Sequence, residues 1–258
     1  MSTETATDCI NAICLFAVVA IIKSNSGHPG APMGQAPSGF CLFAETMDFN
    51  PANADWINRD RFVLSSGHGC RFQYSVLHLT GYKIVPPDDI KQFRKWGPKT
   101  PLHPENLETA GIEVTTGPLG SGVSNAVGLA AAEAHNAAVY NKPGIPLIGY
   151  GCCHEGLSRE PCPYAGHLGL GKLTVTLDDN GTTIAASHCG GLQQAGHAPH
   201  RPVLHRGRWQ ALRGVRLHAL TVKDGNTDVD AIWKAITDAK PCADKLTLIK
   251  VMSTCCPR

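Results

Sequence analysis

Five short apolar runs punctuate this chain, at 61–65, 145–148, 172–177, 217–222 and 247–252, with stretches between them long enough to hold helices. Antiparallel neighbours can be joined by two residues, whereas parallel neighbours need crossovers of a dozen or more, usually helical. The spacing therefore predicts βαβ units in a three-layer α/β/α fold with a mostly parallel sheet. With 258 residues, one large domain of this class has a core of its own, and 1–258 is read as a single domain.

Residues Ile10, Ile13, Ala17, Val18 and Ile21 fall at helical spacing, and that pattern stops at Ser24-Asn25-Ser26-Gly27-His28-Pro29-Gly30. A helix over 9–22 feeding a rigid turn follows, with further helices expected over 39–47, 88–96 and 123–139, the last rich in alanine. The run at 61–65 ends in Ser66-Gly67-His68-Gly69. Open α/β sheets place ligands at such glycine loops beyond the carboxyl ends of strands.

A net charge of +2 and 17% charged residues give no general attraction to nucleic acid or an anionic membrane. No apolar stretch is read as approaching the roughly 18 residues that span a bilayer, and Met1 to Asp8 has no Arg-rich leader character. Eleven cysteines, an odd number without repeated CxxC spacing, suit reduced thiols. These features predict a soluble protein that binds small molecules, in the cytosol by default, with a plastid as the alternative. From Asn180 to Lys223 there is no Asp or Glu, while His, Arg, Gly and Pro are frequent. Residues 185–219 are therefore read as atypical, either a disordered loop or the product of a local change of reading frame. Nucleic-acid binding by Arg201 to Arg216 is disfavoured, because Trp209 is the only aromatic in that run.

Several motifs occur together in a fixed order. They are Ser26-Gly27-His28-Pro29-Gly30, Asn58-Arg59-Asp60-Arg61-Phe62-Val63-Leu64-Ser65, Gly67-His68-Gly69-Cys70, Thr100-Pro101-Leu102-His103-Pro104-Glu105, Thr115-Thr116-Gly117-Pro118-Leu119-Gly120 and Gly166-His167-Leu168-Gly169-Leu170-Gly171. The set resembles the N-terminal, diphosphate-binding domain of transketolases, over about 8–184 and again over 222–251. The resemblance implies a thiamine-diphosphate-binding fold. It also implies transfer of a two-carbon ketol unit between sugar phosphates, in reactions of pentose phosphate or Calvin cycle type.

It further implies roles for particular residues. His28 and His103 lie near the reacting hydroxyls and carbonyl, since an imidazole can donate or accept a proton near neutrality. His68, Gly117, Pro118, Leu119, Gly151, Glu155, Asn180 and Ile184 contact the cofactor, and Glu160 belongs to a network towards a partner chain. Thiamine enzymes hold the diphosphate through Mg²⁺ or Ca²⁺ with a Gly-Asp-Gly motif, a later Asn and a backbone carbonyl. Here the first element reads Gly149-Tyr150-Gly151, followed by Asn180 with Thr182 as the carbonyl donor. Tyr150 replaces the expected aspartate, and a neutral phenol is a poor ligand for a hard cation. Asp178 and Asp179 are the carboxylates nearest in sequence to Asn180.

The pyrimidine-binding and C-terminal domains of the family are not matched. The expectation is a chain inactive alone, acting as a homodimer or with a partner chain that supplies the pyrimidine side. The alternative is an inactive relict or binding module that has lost its metal site. A dihydroxyacetone synthase or deoxyxylulose phosphate synthase is a third, weaker reading.

Overall fold

The computed structural model describes residues 3–140, 147–150, 161–180 and 217–253. Helix α1 (Thr3–Ser24) leads through the 25–29 turn into α2 (Gly30–Phe40), which continues as a wider turn over Cys41–Thr46. Strand β1 (Arg61–Leu64) is followed by a tight turn at Gly67–Gly69, then α3 (Cys70–Leu79), the short α4 (Pro87–Lys91) and α5 (Ser121–Tyr140). Beyond these come β2 (Leu147–Tyr150), α6 (Pro161–His167), β3 (Leu173–Asp179), β4 (Leu217–Val222), α7 (Val229–Ala239) and β5 (Leu246–Met252).

The strands form one sheet in the order β1-β2-β3-β5-β4, and every pairing is parallel. Side chains alternate across a strand, so β1 and β5 each feed two cores. Phe62 and Leu64 of β1, with Ile249 and Val251 of β5, pack against α1, α2, α3 and α7. Val63 of β1, with Leu246 and Leu248 of β5, packs against Val123, Ala126, Val127 and Ala130 of α5 and Cys162 and Ala165 of α6. Two apolar layers, one on each face, make the three-layer arrangement expected from the strand spacing.

Close approach sets where α5 begins. A Cβ at Gly122 would overlap the Cα of Ser65, just past β1, so only glycine lets the first turn of α5 sit on the strand end. The Val123 amide then donates to Ser65 Oγ at 3.3 Å. In front of β1, Arg59 makes a two-pronged ion pair with Glu113, at 2.7 and 2.8 Å, which ties the strand entry to the loop before residue 115.

Several sequence expectations need correction. Helix α1 extends beyond 9–22 to Thr3–Ser24, and its stretch Glu4–Ser24 is long and apolar enough by length and composition to cross a membrane, contrary to the sequence reading. Thr5, Thr7 and Asp8 hid this, because isolated polar residues in the first turns do not stop a helix. In this fold Ala6, Ile13, Ala17 and Ala20 are buried while Leu15, Val19 and Ile22 are exposed. The expected helix over 39–47 is the end of α2 and its wider turn, and the helix over 88–96 stops at Lys91. Strand β2 lies at 147–150, two residues later than expected. Helices α3, α6 and α7 had no sequence counterpart. Strand β4 occupies 217–222 as expected, so the atypical segment 185–219 ends inside a regular strand; its residues 185–216 lie outside the described residues. Among the described residues no cysteine is joined in a disulfide, Cys41 and Cys70 included, in keeping with the composition.

Candidate active site

The site forms where four loops meet at the carboxyl end of β1. The first is the 25–29 turn after α1, in which Asn25 (φ 48°) and Gly27 (φ 129°) reverse the chain and place His28 before α2. The second is the Gly67–Gly69 turn carrying His68. A Cβ at Gly69 would press on Ala31 at 3.2 Å, so this turn and the start of α2 are in close contact. The Gln35 amide of α2 also donates to Ser66 Oγ at 3.0 Å, leaving Gln35 Oε1 without a partner among the described residues.

As a result the rings of His28 and His68 meet edge to face, with centroids 5.5 Å apart. Burial lowers the pKa of His68, and the neighbouring charges of His28 and His103 lower it further. His68 is therefore neutral near pH 7, able to donate from one ring nitrogen and accept at the other.

The third loop carries His103 and hangs from α3. The Tyr74 hydroxyl shares its proton between the carbonyls of Pro101 (3.1 Å) and His103 (3.0 Å), and the Cys70 thiol points at the carbonyl of Leu102 at 3.1 Å. Burial pushes the Cys70 thiol up to about 12 and holds the Tyr74 phenol well above its ordinary range, so both remain neutral fasteners. His103 itself is lowered by partial burial and then by Arg94, with Glu105 opposing.

The fourth loop is Thr115–Gly120. Thr116 Oγ1 donates to the Leu64 carbonyl at 2.9 Å, and the Thr116 amide to Pro104 at 3.1 Å, so the loop is tied to both β1 and the His103 loop. A Cβ at Gly117 would stand 3.5 Å from the His103 ring, and one at Gly67 would press on Thr116 and Gly117. Bare backbone at Gly117 thus comes close to His103, with room between them for no more than a methyl group. Pro118 follows, its carbonyl accepting from Ser121 at the start of α5, and Leu119 is part-exposed beside it.

The metal side is different. Tyr150 ends β2 in register with Leu64 and Thr176, so it reaches the same carboxyl edge as the histidine loops. Asn180, just past β3, donates its amide to Asp178 Oδ2 at 3.1 Å, and Ser253 holds Asp178 Oδ1. Both Asp178 oxygens are therefore engaged, and a Cβ at Gly34 would collide with them. Asp179 pairs with Lys250 at 2.6 Å. Among the described residues no group of three or more His, Cys, Asp or Glu side chains is placed to hold a metal ion. The histidine side brings neutral hydrogen-bonding groups and bare glycine backbone together, whereas the described residues do not supply the carboxylate a Mg²⁺ or Ca²⁺ site needs. Gly151, Glu155, Glu160, Thr182 and Ile184 lie outside the described residues.

Comparison with known proteins decides the family. The profile described as "Transketolase, thiamine diphosphate binding domain" matches residues 5–256. The chain belongs to the transketolase family. A transketolase of Nostoc sp. is 52% identical over 250 residues, 94% of this chain and 36% of that protein. The chloroplastic transketolase of Zea mays is 50% identical over 95% of this chain and 36% of its own length. Among solved structures, a Pichia stipitis transketolase in complex with sedoheptulose-7-phosphate superposes with a TM-score of 0.84 at 42% identity, covering 97% of this chain and 36% of that one. The Leishmania mexicana transketolase gives 0.83 at 41% identity, over 98% and 36%. The chain thus spans about a third of the length of the transketolases it matches. Relatives at this identity do not support an inactive relict.

The histidines, Gly117 and Leu119 were legible from motifs. Arg71, Tyr74 and Arg94 were not: they lie within or beside α3 and α4, outside the motifs, and their contacts to 26 and 101–103 join segments distant in sequence.

Proposed function

We propose that this chain is the diphosphate-binding domain of a transketolase, spanning 1–258, and acts on sugar phosphates with a pyrimidine-binding domain supplied by a second copy or a partner chain. The observation that carries this reading is the convergence of His28, His68 and His103 beside the bare backbone of Gly117.

Thiamine diphosphate, when bound, supplies a carbon nucleophile for the carbonyl of a ketose phosphate. The chain's own residues do the rest. His28 and His103 take and return protons at the substrate hydroxyl and carbonyl, with their loops held at fixed separation by α3. His68, kept neutral by burial, donates a hydrogen bond to a diphosphate oxygen. Gly117, Pro118 and Leu119 cover the ring, and the half-buried walls exclude water from the reacting atoms. Asn180 and the carbonyl of Thr182 are the ligands left to a divalent cation, and Tyr150 in place of a carboxylate weakens its hold.

Calorimetric titration of thiamine diphosphate with Mg²⁺ tests this, using the chain alone and mixed with a chain carrying the pyrimidine-binding and C-terminal domains of a relative. Binding in the mixture, with ketol transfer from xylulose 5-phosphate to ribose 5-phosphate, is expected. The Tyr150→Asp variant should bind at least tenfold more tightly. Absence of binding and transfer in both forms would overturn the reading.

A further inference from the structure

Arg71 lies in the first turn of α3, a helix whose residues 70–77 are all buried, and it is itself 1% exposed. No carboxylate among the described residues pairs with it, and its Nε and Nη1 have no hydrogen-bond partner there. Arginine is seldom buried without a partner, so its contacts bear on why it is there. Its Nη2 donates to the carbonyl of Ser26, and its guanidinium fills the space a Cβ at Gly27 would need. Its Cζ also lies 3.8 Å from the centroid of the Phe93 ring.

Arg94 reaches the same point from the other side. It takes a left-handed backbone conformation (φ 65°), which non-glycine residues rarely adopt, and its Nη1 donates to Ser26 Oγ. Its own Cζ lies 5.4 Å from the same Phe93 ring. Two guanidinium groups sharing one aromatic ring therefore grip the carbonyl and the hydroxyl of Ser26, two residues before His28. The same helix, through Tyr74, holds the carbonyl of His103.

We propose that Arg71 and Arg94 form a clamp on Ser26 that sets the position of His28 against His68 and His103, making Arg71 a positioning residue for the proton transfers of the reaction. The clamp converts the 25–29 turn, which has no regular secondary structure, into a fixed mount for an imidazole. Such preorganisation matters because small displacements of a catalytic group lower rates steeply. The role assigned to His28 rests on the proposed ketol transfer; the clamp itself does not.

The test uses the full chain, isotope-labelled, as wild type, Arg71→Met, Arg71→Lys and Ser26→Ala. Amide exchange at Gly27 and His28, and the nuclear Overhauser contact between the His28 and His68 rings, report the clamp directly. In Arg71→Met, exchange at those two amides should rise at least tenfold and the ring contact should vanish, with β3 and β5 amides unchanged. Ser26→Ala, which releases only Arg94, should give a smaller rise, and Arg71→Lys should recover part of the protection. With the complementary chain present, Arg71→Met should lower kcat about tenfold and leave KM within twofold. Exchange within twofold of wild type and a retained ring contact in Arg71→Met would overturn the clamp. If wild type shows no ketol transfer, the functional reading fails while exchange and ring contact still decide the clamp.

Discussion

Replacing Arg71 by methionine should make the protein more stable while loosening its site. Desolvating a guanidinium without a carboxylate carries an effective penalty of several kcal/mol, taken here as about 5. Against this, Arg71 gains one charge-assisted hydrogen bond to Ser26, about 1.5–3 kcal/mol, and a desolvated cation–π contact with Phe93, about 2. These sum to about 4, so the buried charge is a net cost of about 1 kcal/mol. Burial pulls the guanidinium down to about 10, in the same direction. Methionine fills a similar volume and adds about 1 kcal/mol over the arginine stem in apolar burial. The Ser26 carbonyl keeps a share of the Ser24 hydroxyl proton, at 3.0 Å, which that hydroxyl divides with the Ala20 carbonyl at 2.7 Å. The expected gain is about 2 kcal/mol, or roughly 4–8 °C in Tm for a chain of this size. Urea and thermal unfolding followed by circular dichroism measure it. A variant less stable than wild type would refute the reasoning, since it would mean that the two unpartnered donors find compensation in the folded protein.

Three further outcomes follow from particular contacts. Burial raises the Asp60 carboxyl from 3.8 to about 6 despite a 3.0 Å hydrogen bond from the Asp48 amide, so the folded state binds its proton more tightly than the unfolded chain. Stability from this group is present below about pH 4 and lost as pH rises through 6; Asp60→Asn should therefore gain about 1–2 kcal/mol at pH 8 and little at pH 4, read from urea midpoints at the two pH values. Gly122→Ala should cost about 2–4 kcal/mol, because the new methyl meets the rigid backbone of Ser65; a midpoint unchanged from wild type would show that α5 shifts freely. Gly117→Ala should fold normally, its methyl standing at an ordinary 3.5 Å from the His103 ring, yet weaken cofactor binding at least tenfold in calorimetry, because the methyl covers the bare backbone that the cofactor ring approaches in the proposed function.

Short-range pattern determined much of this protein. The apolar runs at 61–65, 172–177 and 247–252 became strands because each carries residues for both faces of a buried sheet, the run at 217–222 joined them as a more exposed edge strand, and parallel pairing followed from the helix-length connections between them. The turn at 24–30, the glycine loop at 67–69 and the 115–120 loop were legible because glycine and proline constrain the backbone locally, whatever surrounds them. Helix α3 was not: residues 70–77 are buried on every side, so no apolar stripe marks it, and Arg71, Gln73 and Ser75 interrupt its hydrophobicity. Only the tertiary structure places Arg71 on Ser26, 45 residues away, and Tyr74 on His103, 29 residues away. Periodicity reports which face of an element is apolar; which distant backbone carbonyl a buried donor finds depends on how the layers pack, and that is decided by the whole chain at once.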